Sequence, residues 1–479
     1  MNKRDHLQLV GAPGAEDSER LRLSESRAPR YTSYPTALEF SAGIGPAEVM
    51  QEIHRTNQEP IPAPLSLYLH LPFCAAAGVH CGCHSFACCS AGGHAGYLKL
   101  LEQEIDLVGA QFADDRPVLQ IHLGGGTANR YPPEALERLV AALHRQFSIS
   151  PACEISIEVD PRQVRPGDAF AWVALGFNRL SLGLQDVDRG VQRTTNRIQP
   201  KTQVAELVAA AREGGITGID FELIEGLPEL TLATVEKNLA LVERLRPERV
   251  AVFYAGHLPA RFSAQRAIDS TQPPDGAAWL ATQRRYADAL VGLGYRHIGL
   301  DHFAMPHDSL ARALAEGSLQ RNFQGYSTVS GSDTLGLGVS AISSIGRLYA
   351  QNHSRLPAYR AALEMARPAI ARGHRCSDDD RLRHTVIQQI MCRQPLDFAR
   401  LLPTGRFEDH FAAELDRLRQ LDPDGRLVRV TAAGLVIQPA GEQVLRLIAR
   451  CFDRYAVKRA GDELARAVCG NAASTRRTQ

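Results

Sequence analysis

The chain has 479 residues, of which 44% are hydrophobic and 22% charged, and a formal net charge of +1. This length predicts two or three domains with a sizeable core. The near-neutral charge favours neither nucleic acid nor an anionic membrane as a partner, and no apolar run approaches the roughly 18 residues of a membrane span. The first thirty residues lack the apolar stretch of a signal peptide, so we expect a cytoplasmic protein with reduced thiols.

The amino-terminal region predicts an arm without a core of its own. Residues 1–29 are polar and mixed in charge, which is typical of a segment with little order. PRYTSYPTALEF (29–40) places two tyrosines between prolines and predicts an extended segment that lies on another surface. We assign residues 1–45 to this arm.

A strand followed by crowded cysteines comes next. Apolar and polar residues alternate in LSLYLHL (65–71), which predicts a strand with one buried face, and Pro72 ends it. Half of the ten cysteines follow at once: Cys74, Cys81, Cys83, Cys88 and Cys89. Such crowding favours a soft metal, either an iron–sulfur cluster, zinc or Cu(I), over inert buried cysteines. His80 and His84 keep zinc open as a choice.

The middle of the chain alternates between two periodicities. Predicted helices cover 97–112, 134–147, 204–212, 232–245 and 279–293, and predicted strands cover 118–123, 154–160, 179–185, 219–224, 249–257 and 295–303. This alternation predicts an α/β fold of βαβ units with a mostly parallel sheet and helices outside it. The residues alone leave a barrel and an open doubly wound sheet equally possible.

The pattern changes after about residue 360. Helical segments at 382–394, 411–421 and near 442–452 surround a hairpin signal in GRLVRVTAAGLVIQP (425–439). Helices with a two-stranded wing predict a small winged-helix-like domain. We therefore assign 46–360 to the βα domain and 361–479 to a helical carboxy-terminal domain.

YLHLPFC followed by CGC resembles the cluster loop of the radical S-adenosylmethionine (SAM) enzymes. In particular, the stretch resembles that of the oxygen-independent coproporphyrinogen III oxidase (coproporphyrinogen dehydrogenase) family, whose pattern is Cys-x3-Cys-x2-Cys-x-Cys. Cys74 fills the first place, Cys81 the third and Cys83 the trailing one, whereas Gly78 occupies the second place and cannot bind iron. The resemblance implies a 4Fe-4S cluster held by Cys74 and Cys81. A replacement ligand would come from Cys83, Cys88, Cys89, His80 or His84, of which Cys83 is the nearest.

The same resemblance implies an architecture and a second cofactor. The expected fold is a partial (β/α)6 radical SAM barrel, open at one side, with a carboxy-terminal, mostly helical, winged-helix-like domain over the barrel mouth. S-adenosyl-L-methionine is the implied cofactor beside the cluster, in one or two copies.

The implied site residues follow from local motifs. In this family GGGT clamps the amino-acid part of SAM, and Glu158 accepts hydrogen bonds from ribose hydroxyls. Without the family resemblance, a glycine triplet would be typical of a turn, and Glu158 would be typical of an exposed strand position. Gln324 in RNFQGYS (321–327) positions the substrate, and Arg30 and Tyr31 are weaker candidates for substrate contact. The implied SAM-binding residues are Tyr68, His80, Gly124, Gly125, Gly126, Thr127, Glu158, Gln185, Arg197, Glu222, Gly256 and Ile342. At Glu222 the family usually has aspartate.

The implied activity is that of an oxidoreductase of haem biosynthesis. Two propionates of coproporphyrinogen III become vinyl groups with loss of carbon dioxide, giving protoporphyrinogen IX. The hydrogen that must be removed from the propionate β-carbon is not activated. The reaction therefore depends on radical chemistry from a reduced cluster and SAM. We expect an electron donor and an electron acceptor as partners, a monomer, and neither nucleic acid binding nor membrane insertion.

Gly78 leaves two alternatives to this activity. The first is a catalytically degenerate paralogue that keeps the fold and binds haem or porphyrin as a carrier or regulator. The second is a zinc-binding structural loop. We expect the chain as written to bind a 4Fe-4S cluster weakly.

Overall fold

A mixed twelve-stranded sheet dominates the computed structural model, which describes residues 28–74, 86–87, 91–165, 167–254, 265 and 276–456. Within these residues one compact unit is built from Ser41–Leu319 and Ser327–Arg375. A second unit is built from residues 28–40, Gln320–Tyr326 and residues 376–456. No helix among the described residues is long and apolar enough to cross a membrane.

The strands in chain order are β1 (Leu65–Leu71), β2 (Phe73–Cys74), β3 (Phe86–Ala87), β4 (Val118–Gly125), β5 (Ile149–Val159), β6 (Arg179–Gln185), β7 (Gly218–Glu225), β8 (Arg249–Tyr254), β9 (Arg296–Gly299), β10 (His302–Ala304), β11 (Gln320–Asn322), β12 (Gly325–Ser327), β13 (Asp333–Leu337), β14 (Ile342–Ile345), β15 (Leu348–Asn352), β16 (Ile370–Arg375), β17 (Leu396–Asp397), β18 (Val428–Val430) and β19 (Gly434–Ile437).

The α-helices in chain order are α1 (Pro46–Asn57), α2 (Ala91–Gly109), α3 (Pro133–Gln146), α4 (Asp168–Ala174), α5 (Arg189–Thr194), α6 (Lys201–Gly214), α7 (Leu232–Leu245), α8 (Gly276–Gly292), α9 (Ser309–Glu316), α10 (Leu356–Glu364), α11 (Asp378–Met391), α12 (Phe398–Leu401), α13 (Phe407–His410), α14 (Ala412–Leu421) and α15 (Leu445–Cys451).

The large sheet has the order β16-β15-β14-β13-β1-β4-β5-β6-β7-β8-β10-β9. From β13 to β8 neighbouring strands run parallel. From β1 to β8 the connections between them carry helices, as parallel pairing requires. The parallel core confirms the expected α/β architecture of a partial (β/α)6 barrel and places all its carboxyl ends on one edge.

Strand β1 differs from the prediction in the burial of its second face. The prediction of a single buried face was wrong, because every residue of β1 except Tyr68 is buried. The leucines join the hydrophobic core, while Ser66 and His70 are buried polar residues on the alternate positions. In a barrel strand the second face lines the interior instead of meeting solvent.

A buried charge cluster, the ionic floor, lies near the amino ends of β6 and β8. Arg179 donates to Glu154, Asp220 and Asp308 at 3.1, 2.5 and 2.9 Å, and Arg249 donates to Glu154 and Asp308 at 3.2 and 2.9 Å. Burial alone would raise the pKa of Glu154, but the charges of Arg249 and Arg179 lower it to about 2. Two arginines thus pair with three carboxylates, and burial raises the pKa of the remaining carboxyl, Asp220.

The prediction of a single strand over residues 295–303 was wrong. This stretch forms the antiparallel pair β9 and β10, and β10 runs antiparallel to β8. Leu300 lies in the turn between them with a positive φ of 46°. Apolar residues (Ile298, Leu300 and Phe303) recur through this turn, so the apolar pattern alone did not reveal it.

The second unit contains the predicted hairpin. Strands β17, β19 and β18 form a small antiparallel sheet, and helix α11 contacts β17. The arm residue Tyr31 is buried and donates its hydroxyl to Asp453 at 3.0 Å, and Arg321 donates to the carbonyl of Arg30 at 3.0 Å. The side chain of Tyr31 therefore docks the arm through its contact with Asp453.

Candidate active site

The end of β1 and the glycine-rich turn after β4 hold each other in place. Gly126 N–H donates to the Leu71 carbonyl at 2.8 Å, and Thr127 N–H donates to the Phe73 carbonyl at 3.1 Å. The hydroxyl of Thr127 donates to the sulfur of buried Cys74 at 3.6 Å. The first predicted cluster ligand thus already has a hydrogen-bond donor on its sulfur.

Packing explains why two positions of this turn are glycine. A Cβ on Gly124 would lie 2.6 Å from Glu158 Oε1 and 2.9 Å from His122 Nε2. Gly125 has a φ of +111°, and a Cβ there would lie 2.4 Å from the ring of His70. Glycine is therefore required at both positions so that polar side chains of neighbouring strands can approach the backbone.

His122 and Glu158 form a pair across β4 and β5. His122 Nε2 lies 3.2 Å from Glu158 Oε1, and the other carboxylate oxygen accepts from Gly125 N–H at 2.9 Å. Burial alone would raise the pKa of Glu158, but the hydrogen bond from His122 and the charge of His122 lower it. Glu158 is thus held as a carboxylate, and 35% of its side chain remains exposed.

Tyr68 lies beside this pair on β1. Its ring stacks on His122 with centroids 5.9 Å apart, and its hydroxyl lies 2.9 Å from His70 Nδ1. Tyr68 is in register with Gly336 of β13, where a Cβ would lie 2.4 Å from the carbonyl oxygen of Ile342. Ile342 is therefore separated from Tyr68 by only one strand.

A second group of predicted residues meets over β6. Arg197 donates to the Gly183 carbonyl at 2.9 Å, and Ser181 donates to Glu222 at 2.9 Å. A Cβ on Gly183 would lie 3.0 Å from Arg197 and 4.0 Å from Glu222. Burial, and after it the charge of Glu158, raises the pKa of Glu222 on β7. Gln185 ends strand β6 with a φ of 64°.

Gln324 lies in the second unit, between β11 and β12. Its backbone N–H donates to Asn322 at 2.9 Å. Both polar atoms of its side-chain amide are shielded from solvent and find no hydrogen-bond partner among the described residues. Such a group is costly unless a ligand satisfies it.

Some predicted residues fall outside the part of the chain that the structure describes. These are Gly78, His80, Cys81, Cys83, His84, Cys88, Cys89 and Gly256. Within the described residues no group of three or more His, Cys, Asp or Glu side chains could hold a metal ion. Cys74 is the one predicted ligand whose surroundings are described, and a buried thiol with a donor on its sulfur fits an iron–sulfur ligand.

Sequence reasoning missed several polar residues on the barrel interior. His122, Ser156 and Ser181 occupy alternate positions of parallel strands whose other positions are apolar. Parallel strands buried on both faces normally read as continuous hydrophobic runs. Regular polar interruptions were the signal that could have identified them.

Comparison with known proteins agrees with this geometry. A sequence profile described as the radical SAM superfamily matches residues 68–242. The oxygen-independent coproporphyrinogen III oxidase of Pseudomonas aeruginosa is 39% identical over 443 residues, covering 92% of this chain and 96% of the relative. The Escherichia coli protein of the same name is 41% identical over 429 residues, covering 89% and 93%.

A solved structure gives the same result. Coproporphyrinogen III oxidase from Escherichia coli, described as a radical SAM enzyme, matches with a TM-score of 0.85 at 41% identity, covering 89% of this chain and 97% of that chain. Sequence and fold agree over almost the full length of these relatives. The chain belongs to the oxygen-independent coproporphyrinogen III oxidase family of the radical SAM superfamily.

Proposed function

We propose that the chain catalyses the oxidative decarboxylation of two propionates of coproporphyrinogen III to vinyl groups, giving protoporphyrinogen IX in haem biosynthesis. The observation that carries this proposal is identity of about 40% with relatives of that name over nine-tenths of the chain. The grouping of Tyr68, Glu158, Arg197 and Glu222 near the carboxyl ends of adjacent parallel strands supports it. Radical SAM chemistry is the activity of this superfamily.

Cys74, Cys81 and Cys83 would hold the 4Fe-4S cluster, with Gly78 in the place of a usual ligand. When bound, the reduced cluster and SAM supply the radical that removes a hydrogen from the propionate side chain. Thr127 donates a hydrogen bond to Cys74, which stabilises the thiolate form that binds iron. The residues around Cys74 keep water from this side of the site, because Leu71, Phe73 and Cys74 are buried.

Residues on the neighbouring strands would bind SAM. The exposed edge of Glu158 would accept the ribose hydroxyls, and the backbone of Gly124–Thr127 would bind the amino-acid part. Tyr68, Gln185, Arg197, Glu222 and Ile342 would complete one or two SAM pockets, together with His80 and Gly256.

The substrate would be positioned by a residue of the second unit. Gln324 would use its unpartnered amide to position coproporphyrinogen III. The reaction needs an electron donor for the cluster and an acceptor for the electron left when carbon dioxide departs. We expect the enzyme to act as a monomer, which sedimentation equilibrium would test.

Anaerobic turnover tests the proposed function. The reconstituted protein is incubated with SAM, dithionite, an electron acceptor and coproporphyrinogen III, and the porphyrins are separated after oxidation. We expect SAM-dependent loss of two carboxyl groups per macrocycle. Cys74→Ala should abolish it, whereas Cys153→Ala, which changes a buried thiol in β5, should not.

Two results would contradict this function. One is tight, stoichiometric binding of haem or porphyrin without decarboxylation in either the wild-type protein or its Gly78→Cys variant, which would favour the carrier. The other is stoichiometric zinc that iron and sulfide cannot replace.

A further inference from the structure

We propose that His122 is a positioning residue for SAM binding, which acts by fixing the carboxylate of Glu158 with its free edge toward the ribose. This inference rests on the proposed function, because it takes SAM as the ligand of Glu158. It adds a residue that no motif of the cluster loop or glycine turn contains.

Both ring nitrogens of His122 are engaged. Nδ1 lies 2.7 Å from Ser156 Oγ, and Nε2 lies 3.2 Å from Glu158 Oε1. Ser156 also donates to the Ile121 carbonyl at 3.3 Å. Because Ser156 and Glu158 are two residues apart on β5, the imidazole spans one repeat of that strand, and its orientation is determined at two points.

The remaining contacts leave Glu158 little freedom. Gly125 N–H donates to Oε2 at 2.9 Å, so the carboxylate is held at both oxygens from β4. The Tyr68 ring stacks on the face of His122. With 35% of the Glu158 side chain exposed, its orientation is fixed while an edge stays accessible to hydroxyl donors. Pre-organisation of this kind lowers the entropy cost of binding.

The charges around His122 favour its protonated form. Glu158 and Glu154 on β5 and Glu222 on β7 act on it. The Tyr68 ring approaches it from β1, and His70 of the same strand acts on Glu158. Burial alone would lower the pKa of His122, but the hydrogen bond to Glu158 and the charges of the three glutamates raise it. An imidazolium bonded to a carboxylate makes a stronger hydrogen bond than a neutral pair.

A matched pair of polar substitutions separates positioning from packing. His122→Gln reaches Glu158 with its amide nitrogen, whereas His122→Asn reaches Ser156 but stops short of Glu158. Labelled SAM is bound to the reconstituted protein and measured by equilibrium dialysis. We expect His122→Asn to weaken binding about ten- to hundredfold, the range for a hydrogen bond to a charged group, and His122→Gln to stay within about threefold of wild type.

A double variant and a surface control complete the experiment. Adding His122→Asn to Glu158→Gln should weaken binding little further, because both changes remove one interaction. His144→Asn, at an exposed position of α3, should leave binding unchanged. Circular dichroism and thermal unfolding establish that each variant is folded.

The outcomes separate the two hypotheses. Equal binding by wild type and His122→Asn, equal losses in the Gln and Asn variants, or additive losses in the double variant would overturn the positioning role while leaving the proposed function intact. Failure of both the wild-type protein and a cluster-loaded Gly78→Cys variant to bind SAM would overturn the proposed function and this inference with it.

Discussion

At the scale of single residues, the site depends on contacts between strand ends that are distant in sequence. Thr127 and Cys74 are 53 residues apart, yet the hydroxyl of one donates to the sulfur of the other. Sequence motifs correctly singled out both residues. They could not show this contact, because a motif gives residue types and spacing but not the register between β1 and β4.

Removing the Thr127 hydroxyl should weaken the iron–sulfur centre. Thr127→Val keeps the shape but removes the donor, and losing such an outer contact typically costs 10–100-fold in metal affinity. Iron retention against a chelator after reconstitution checks this, with Thr127→Ser as the control that keeps the hydroxyl. Equal retention in the Val variant and wild type would contradict a role for the hydroxyl.

Restoring a thiol at position 78 should increase cluster loading. Gly78 leaves one ligand place of the family pattern empty, and a contact from a neighbouring residue cannot replace a bond to iron. Iron and sulfide content and visible absorbance measure loading of Gly78→Cys against wild type. A full, stable cluster in the unmodified protein would refute weak binding, and alanine at Cys83, Cys88 or Cys89 would then identify the substitute ligand.

At the scale of elements, helix α2 fixes the loop that leads to Ile342. Glu104 on this helix is buried and accepts from Gly338 N–H at 2.7 Å, from Asn352 at 2.6 Å and from the Tyr359 hydroxyl at 2.6 Å. On the same helix, Tyr97 donates to the His70 carbonyl at 2.7 Å. One helix thus aligns the end of β1 with the loop after β13.

Glu104 should make stability depend on pH. Burial raises its pKa from 4.5 to about 7, although hydrogen bonds from Tyr359, Gly338 and Asn352 oppose this. The folded state favours the protonated form, so stability is full below about pH 4.5 and falls as pH rises through 7. The whole effect is at most about 3 kcal/mol.

Denaturant unfolding between pH 4.5 and 8 measures this slope. Glu104→Gln cannot ionise and should flatten it, whatever the change in absolute stability. Glu137→Gln, at an exposed position of α3, should leave the slope as in wild type. An unchanged slope in Glu104→Gln would show that other groups cause the pH dependence.

At the scale of the whole molecule, the parallel α/β core was predictable from periodicity and the interior of the barrel was not. Alternating strand and helix periods predicted the parallel core, because each strand needs a buried apolar face toward its helices. The polar positions on the opposite face carry no local signal of their partners. Arg179, for example, meets an aspartate 129 residues away.

The ionic floor should contribute strongly to the stability of the fold. Arg179→Leu removes one cation and leaves Glu154, Asp220 and Asp308 partly uncompensated in a buried place. Breaking a buried charge pair by removing one partner typically costs about 3–5 kcal/mol. Denaturant unfolding should show a loss of this size, while Arg138→Leu, which breaks an exposed pair with Glu102, should cost about 1 kcal/mol or less.

Anaerobic turnover of coproporphyrinogen III by wild type and Gly78→Cys, side by side, tests the central claim most directly. We predict SAM-dependent conversion of two propionates to vinyl groups by the Gly78→Cys protein, slower conversion by the wild-type protein in proportion to its iron content, and none after Cys74→Ala. The claim would be contradicted if the Gly78→Cys protein carried a full cluster and bound SAM but left every propionate intact.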